Sequence, residues 1–95
     1  MHDGWTFLTN HAHVWLCLAR DPDLRLRDLA ERVGITERAV HRIVHDLIDG
    51  GYLVVQRDGR RNHYQVQGTG PMRHPVERGA PVAHLLRILD ERPTE

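Results

Sequence analysis

Leu29-Ala30-Glu31-Arg32-Val33-Gly34-Ile35-Thr36-Glu37-Arg38-Ala39-Val40 is the stretch that decides how this chain folds. Leu29, Ala30 and Val33 recur at helical spacing, so a helix is expected over about 27–33. Gly34 follows where a helix commonly ends in a left-handed residue. Thr36 then has the side-chain oxygen that caps a new helix, expected from Glu37 to about Asp49. Its apolar residues Val40, Ile43, Val44, Leu47 and Ile48 form one stripe at steps of three and four, and Gly50-Gly51 stops it. Two short helices joined by a tight glycine turn need a small residue where they cross, and Ala30 supplies it.

Working outward, Thr9 or Asn10 caps an earlier helix that runs to Arg20, because Pro22 forbids its continuation. Ala12, Val14, Trp15, Leu16, Leu18 and Ala19 make that helix apolar on nearly every side, the mark of a helix packed centrally between other elements. Leu24-Arg25-Leu26 alternates and is expected as a very short strand, and neither Arg25 nor Leu26 has a side chain able to cap the helix that follows. Downstream, Tyr52–Gln56 is rich in β-formers, Asp58-Gly59 signals a hairpin turn, and Arg60–Val66 returns with Tyr64 and Val66 on one face. Gly68-Thr69-Gly70-Pro71 reads as a turn or linker. A last amphipathic helix is expected over about Pro81–Glu91, with Val82, Leu85, Leu86 and Leu89 on one side and Pro93 beyond its end.

This order of elements specifies a mainly α chain with a small β-hairpin, a winged helix-turn-helix. Leu29–Thr36 resembles the first half of the motif in MarR- and ArsR-type bacterial transcriptional regulators. Asp46-Leu47-Ile48-Asp49-Gly50-Gly51-Tyr52-Leu53 resembles the end of their recognition helix, and Arg57-Asp58-Gly59-Arg60-Arg61-Asn62-His63-Tyr64 is similar to their wing. The resemblance covers about Ala12 to Val66 and implies a homodimeric DNA-binding repressor or activator. The division of the chain that goes with it is a winged helix-turn-helix over 1–70 and an extension with a dimerisation helix over 71–95.

Recognition helices read the major groove with their N-terminal residues and one polar face. Thr36, Arg38, His41, Arg42 and His45 are the polar positions on the non-core face of the third helix. The wing adds Arg57, Arg60, Arg61 and His63, with Arg60 nearest the tip and suited to the minor groove. The expected partners are therefore double-stranded DNA and a second copy of the chain, with no membrane and an unknown small-molecule effector. All thirteen basic residues are arginine, and thirteen acidic residues cancel them. With no net field drawing the chain to polyanions, any DNA site must come from local clustering. That balance leaves open the alternative of a winged helix that serves as a protein-interaction module.

Eight histidines in ninety-five residues raise the question of metal. His13 and Cys17, like His41 and His45, sit four apart and share a helix face, but two ligands are not a site, and nothing in the sequence brings His11, His74 or His84 to join them. No cofactor and no metal are expected. Cys17 lies among Trp15, Leu16 and Leu18 and reads as a small hydrophobe. A single cysteine and no run of eighteen apolar residues suit a cytoplasmic chain. No phosphate loop, nucleophile elbow or zinc-protease pattern appears, so an enzyme is not expected.

Overall fold

The structure is a computed structural model that describes residues 4–90. Helix α1 spans Asn10–Arg20, α2 Leu26–Val33 and α3 Glu37–Asp49, followed by strands β1 (Leu53–Asp58) and β2 (Arg61–Val66). A 3₁₀ turn at Pro75–Glu77, a 3₁₀ helix at Val82–Leu86 and one α turn, α4 (Arg87–Asp90), complete it. Glu91 and Pro93, assigned above to the end and stop of the last helix, lie outside the described residues.

Thr9 caps α1, its hydroxyl oxygen accepting the Ala12 N–H at 3.3 Å. The helix ends where the Asp21 N–H donates to the Cys17 carbonyl and proline follows. Val14, Trp15, Leu16 and Leu18 are all buried, and α1 packs against α2, α3, β2 and the 3₁₀ helix. It is the central helix that its all-round apolarity predicts. Each fully buried aliphatic side chain in this core contributes roughly 1.5–3 kcal/mol of transfer free energy. Val14, Leu29 and Val40 have no exposed surface at all. Cys17 is half-buried at the edge of this core, and burial pushes its thiol pKa up despite the nearby Arg32 and Arg20 guanidinium groups. A thiol held in its neutral form is a packing group, as its apolar neighbours indicate.

The expected strand at Leu24–Leu26 does not form. Leu24 is buried in the core, and Leu26 is already the first residue of α2. The start of α2 is secured from inside the helix. The Asp28 carboxylate reaches back to accept the Arg25 backbone N–H at 3.1 Å and the Arg25 side-chain Nε–H at 3.3 Å. Arg25 itself offers no acceptor, so this is one half of a capping box. The Arg25 N–H foremost holds the Asp28 carboxyl below the usual carboxylate range, with the Arg25 and Arg27 charges adding and some desolvation opposing. A lowered pKa means that this stabilisation is complete above the ordinary carboxylate range and is lost as the pH falls through the lowered value. Asp28→Ala is accordingly expected to lower the thermal midpoint at neutral pH, with the gap from wild type closing in acid. A gap that persists undiminished in strong acid would show that the side chain acts by packing instead.

The amphipathic segment after Pro81 is wound differently from what its periodicity implies. Most of it is 3₁₀, in which side chains at i and i+3 eclipse. Val82 and Leu85 are such a pair, and with Leu86 and Leu89 they pack part-buried against the core of their own chain. The Val82 and Ala83 N–H groups donate to the Gly70 and Gly68 carbonyls at 2.9 and 3.0 Å, and Pro71 and Pro81 face each other across the same return. Gly70 is there for space. A Cβ at that position would lie 2.6 Å from Cε1 of Tyr52, whose hydroxyl donates to the Pro71 carbonyl at 2.6 Å. Residues 68–71, read above as a turn or linker, are thus closely packed against Tyr52 and Ala83.

Candidate nucleic-acid interface

The turn between α2 and α3 follows from one residue. Gly34 adopts φ 84°, a left-handed conformation that costs any residue with a Cβ, and the Gly34 and Ile35 N–H groups both close onto the Ala30 carbonyl, at 2.8 and 3.1 Å. Thr36 then caps α3, its oxygen accepting the Ala39 N–H at 3.1 Å. Val40, Ile43, Val44 and Leu47 turn into the core. Their burial fixes the rotation of α3, so Arg38, His41, Arg42 and His45 face outward, and all four are exposed. The His41 and His45 rings lie side by side, with centroids 4.7 Å apart and planes tilted by 54°.

The wing pairs β1 with β2 from Leu53↔Val66 to Asp58↔Arg61. Its two central turn residues are Gly59 and Arg60, one place further on than the Asp58-Gly59 reading. Gly59 has φ 65° and Arg60 does not share the positive φ, the pattern of a type II′ turn with glycine first. Arg57 and Arg60 are exposed at this end, and neither forms an ion pair among the described residues.

Arg61 and His63 are placed differently. An Arg61 guanidinium N–H donates to the Asp23 carbonyl at 2.8 Å, and His63 Nδ1 lies 2.8 Å from the Asp23 carboxylate. The Tyr64 N–H donates to the Pro22 carbonyl at 2.9 Å. All three contacts turn away from the wing tip and tie β2 to the α1–α2 loop. The sequence reading missed Asp23 as their partner. It lies 38 and 40 residues away along the chain, and nothing local marks it.

The nine residues therefore divide into groups. Arg38, His41, Arg42 and His45 share the outer face of α3. Arg57 and Arg60 crowd the wing tip. Thr36 serves the helix end, and Arg61 and His63 hold the wing in place. A separate cleft of about 500 Å³ opens between the N-terminal segment, α1, the end of α3 and residues 71–77. Leu8, Trp15, Leu47 and Tyr52 line it, and His11 Nε2 meets the Asp46 carboxylate at 2.9 Å on its wall.

A family model described as the MarR family matches residues 9–61. Curated protein sequences give no match. Among solved structures, the zinc-dependent MarR family transcriptional regulator AdcR in its Zn(II)-bound state is similar, at 26% identity and a TM-score of 0.54. That match covers 68% of this chain and 47% of AdcR. The PcaV transcriptional regulator from Streptomyces coelicolor is similar at 29% identity and a TM-score of 0.54, covering 62% of this chain and 46% of PcaV. In complex with its natural ligand, PcaV matches at 25% identity and a TM-score of 0.58, covering 86% and 60%. This chain thus spans about half the length of these solved regulators. The matched residues 9–61 are more than half of the ninety-five and include α1, the glycine turn, α3 and the wing tip, and on that match the chain belongs to the MarR family.

Proposed function

We infer that the chain is a sequence-specific DNA-binding transcriptional regulator in which α3 enters the major groove and the wing tip meets the backbone or minor groove. The observation that carries this reading is the joint exposure of Arg38 and Arg42 on the outer face of α3 and of Arg57 and Arg60 at the wing tip. Arginine's planar fork suits both guanine edges and phosphates. Arg61 and His63, though basic, are assigned to positioning the wing, because Asp23 already engages both.

A mobility-shift titration against genomic fragments at two salt concentrations tests the reading. Counterion release makes affinity fall steeply with salt, by a log–log slope of about 0.9 per phosphate neutralised. Arg57→Ala with Arg60→Ala is expected to flatten that slope by up to ~0.9 for each phosphate that the wing of a protomer then leaves unneutralised. Binding that is absent at low salt would favour the protein-interaction module, for which the zero formal net charge speaks.

The regulator acts as a homodimer, which brings two copies of α3 to successive major grooves about 34 Å apart. The stripe Val82, Leu85, Leu86 and Leu89 is partly spent within its own chain, so the joining surface is assigned to what remains apolar and open. Trp5, Phe7 and Val76 are 74%, 91% and 78% exposed, and the Trp5 and Phe7 rings meet edge-on at 4.8 Å. Two exposed aromatic rings held together are the start of a contiguous apolar patch, the kind that marks an association surface. Light scattering is expected to give twice the 11.0 kDa chain mass for wild type and a single mass for Trp5→Ser with Phe7→Ser. A dimer that survives both substitutions places the interface elsewhere.

A further inference from the structure

The DNA reading rests on the arginines of α3, and the two imidazoles that share its outer face can do more than line a groove. Most histidines among the described residues are already engaged. His11 meets Asp46, His13 meets Asn10, His63 meets Asp23, and His74 accepts the Val76 N–H. His41 and His45 make no hydrogen bond or ion pair among the described residues, are both exposed, and lie side by side with ring centroids 4.7 Å apart. We propose that His41 and His45 form a two-point surface chelate for a borderline divalent cation of the zinc, nickel or copper class, with water completing the coordination.

The chemistry follows from helix geometry. Residues four apart are neighbours on a helix surface, so the backbone already holds the two rings together and little ordering is needed to bring both onto one ion. A tetrahedral cation bonded to imidazole nitrogens at about 2.0–2.1 Å needs those nitrogens roughly 3.4 Å apart. Rings at the observed separation reach that by small side-chain rotations. Neutral imidazole selects cations of this class over magnesium or calcium, which prefer oxygen. Glu37 and Asp49 continue the same row by one step of four at either end, so a carboxylate flanks each imidazole along the helix. Their charge offsets that of Arg38 and Arg42 on the flank. Among the described residues no three metal-ligating groups come together, so the ion here is exchangeable and not a structural part of the fold. If α3 enters the groove as inferred above, an ion on its outer face obstructs that docking. This consequence rests on the DNA reading, whereas the site itself does not.

The test therefore uses no DNA. Zinc chloride is added near neutral pH to the full chain labelled with ¹⁵N in its histidine rings, and the ring signals are followed by NMR. The His41 and His45 signals are expected to move together, before those of other histidines, and to saturate at one zinc per chain. His41→Gln and His45→Gln each turn a chelate into a single contact, which is expected to weaken binding by about 10²-fold or more. Zinc should raise the thermal midpoint of wild type and leave that of either variant unmoved, since bridging one turn of α3 stabilises it. Both positions are exposed, so the variants keep the fold, and circular dichroism checks that they do. If another histidine responds first, or if His45 keeps its response and affinity in the His41→Gln chain, the chelate does not exist.

Discussion

Trp15→Ala is expected to lower stability by about 3–5 kcal/mol, the usual cost of emptying a buried aromatic site. Against the roughly 5–15 kcal/mol that holds a typical domain folded, this is a large fraction of the total. Trp15 is 3% exposed, and its indole N–H donates to the Tyr52 carbonyl at 2.9 Å. It therefore joins α1 to the residue that leads into the wing, and Tyr52 in turn holds the C-terminal return through Pro71. Trp15→Phe separates the two contributions. It keeps most of the volume and gives up the hydrogen bond, for about 0.5–1.5 kcal/mol. The Tyr52 carbonyl is not stranded, because it also accepts the Gln67 N–H at 2.9 Å. Urea denaturation of the two variants measures both. Equal losses would mean that the hydrogen bond, and not the buried ring, carries the joint.

Arg38→Ala and Arg42→Ala are each expected to cost about 1–3 kcal/mol of affinity for the preferred sequence at every half-site, with little change in binding to unrelated DNA. The two residues are exposed on the face that the core stripe turns outward, so neither change disturbs the fold. Lysine at either position keeps the charge but not the two-pronged geometry, and specificity should not return with it. The ratio of specific to nonspecific affinity at fixed salt is the measurement. Should both ratios stay at the wild-type value, the outer face of α3 does not read bases and the assignment of the recognition helix fails.

Helices α1 and α3 are legible almost to the residue because their ends are written locally, in Thr9 and Pro22 and in Thr36 and Gly50-Gly51. The outer face of α3 is legible for the same reason, since the apolar stripe fixes the rotation of the helix. Where the reading slips, the deciding interaction comes from beyond the local pattern. The start of α2 depends on Asp28 acting backward on Arg25, while a forward search seeks a side-chain acceptor at the cap itself. The segment after Pro81 shows a helical stripe, but its first N–H groups are taken by Gly68 and Gly70, and it packs on its own core as 3₁₀. Arg61 and His63 look like members of the wing's basic cluster until folding brings Asp23 beside them. Charge can be counted along a chain, but whether a basic side chain is already engaged is a property of the fold.

The bond from Tyr64 to Pro22 changes the wing mechanically. A hairpin held only at its root would pivot at Val66, five residues from Arg61, a lever of about 17 Å at ~3.4 Å per residue. Fastened at Tyr64, it pivots three residues from Arg61, and the free arm shortens to about 10 Å. The same angular fluctuation then sweeps the tip through little more than half the distance. Asp23 braces the arm further out, through Arg61 and His63, so the α1–α2 loop works as a strut. Asp23→Ala would remove the His63 brace and leave the Tyr64 fulcrum, lengthening the play of the tip without detaching the wing.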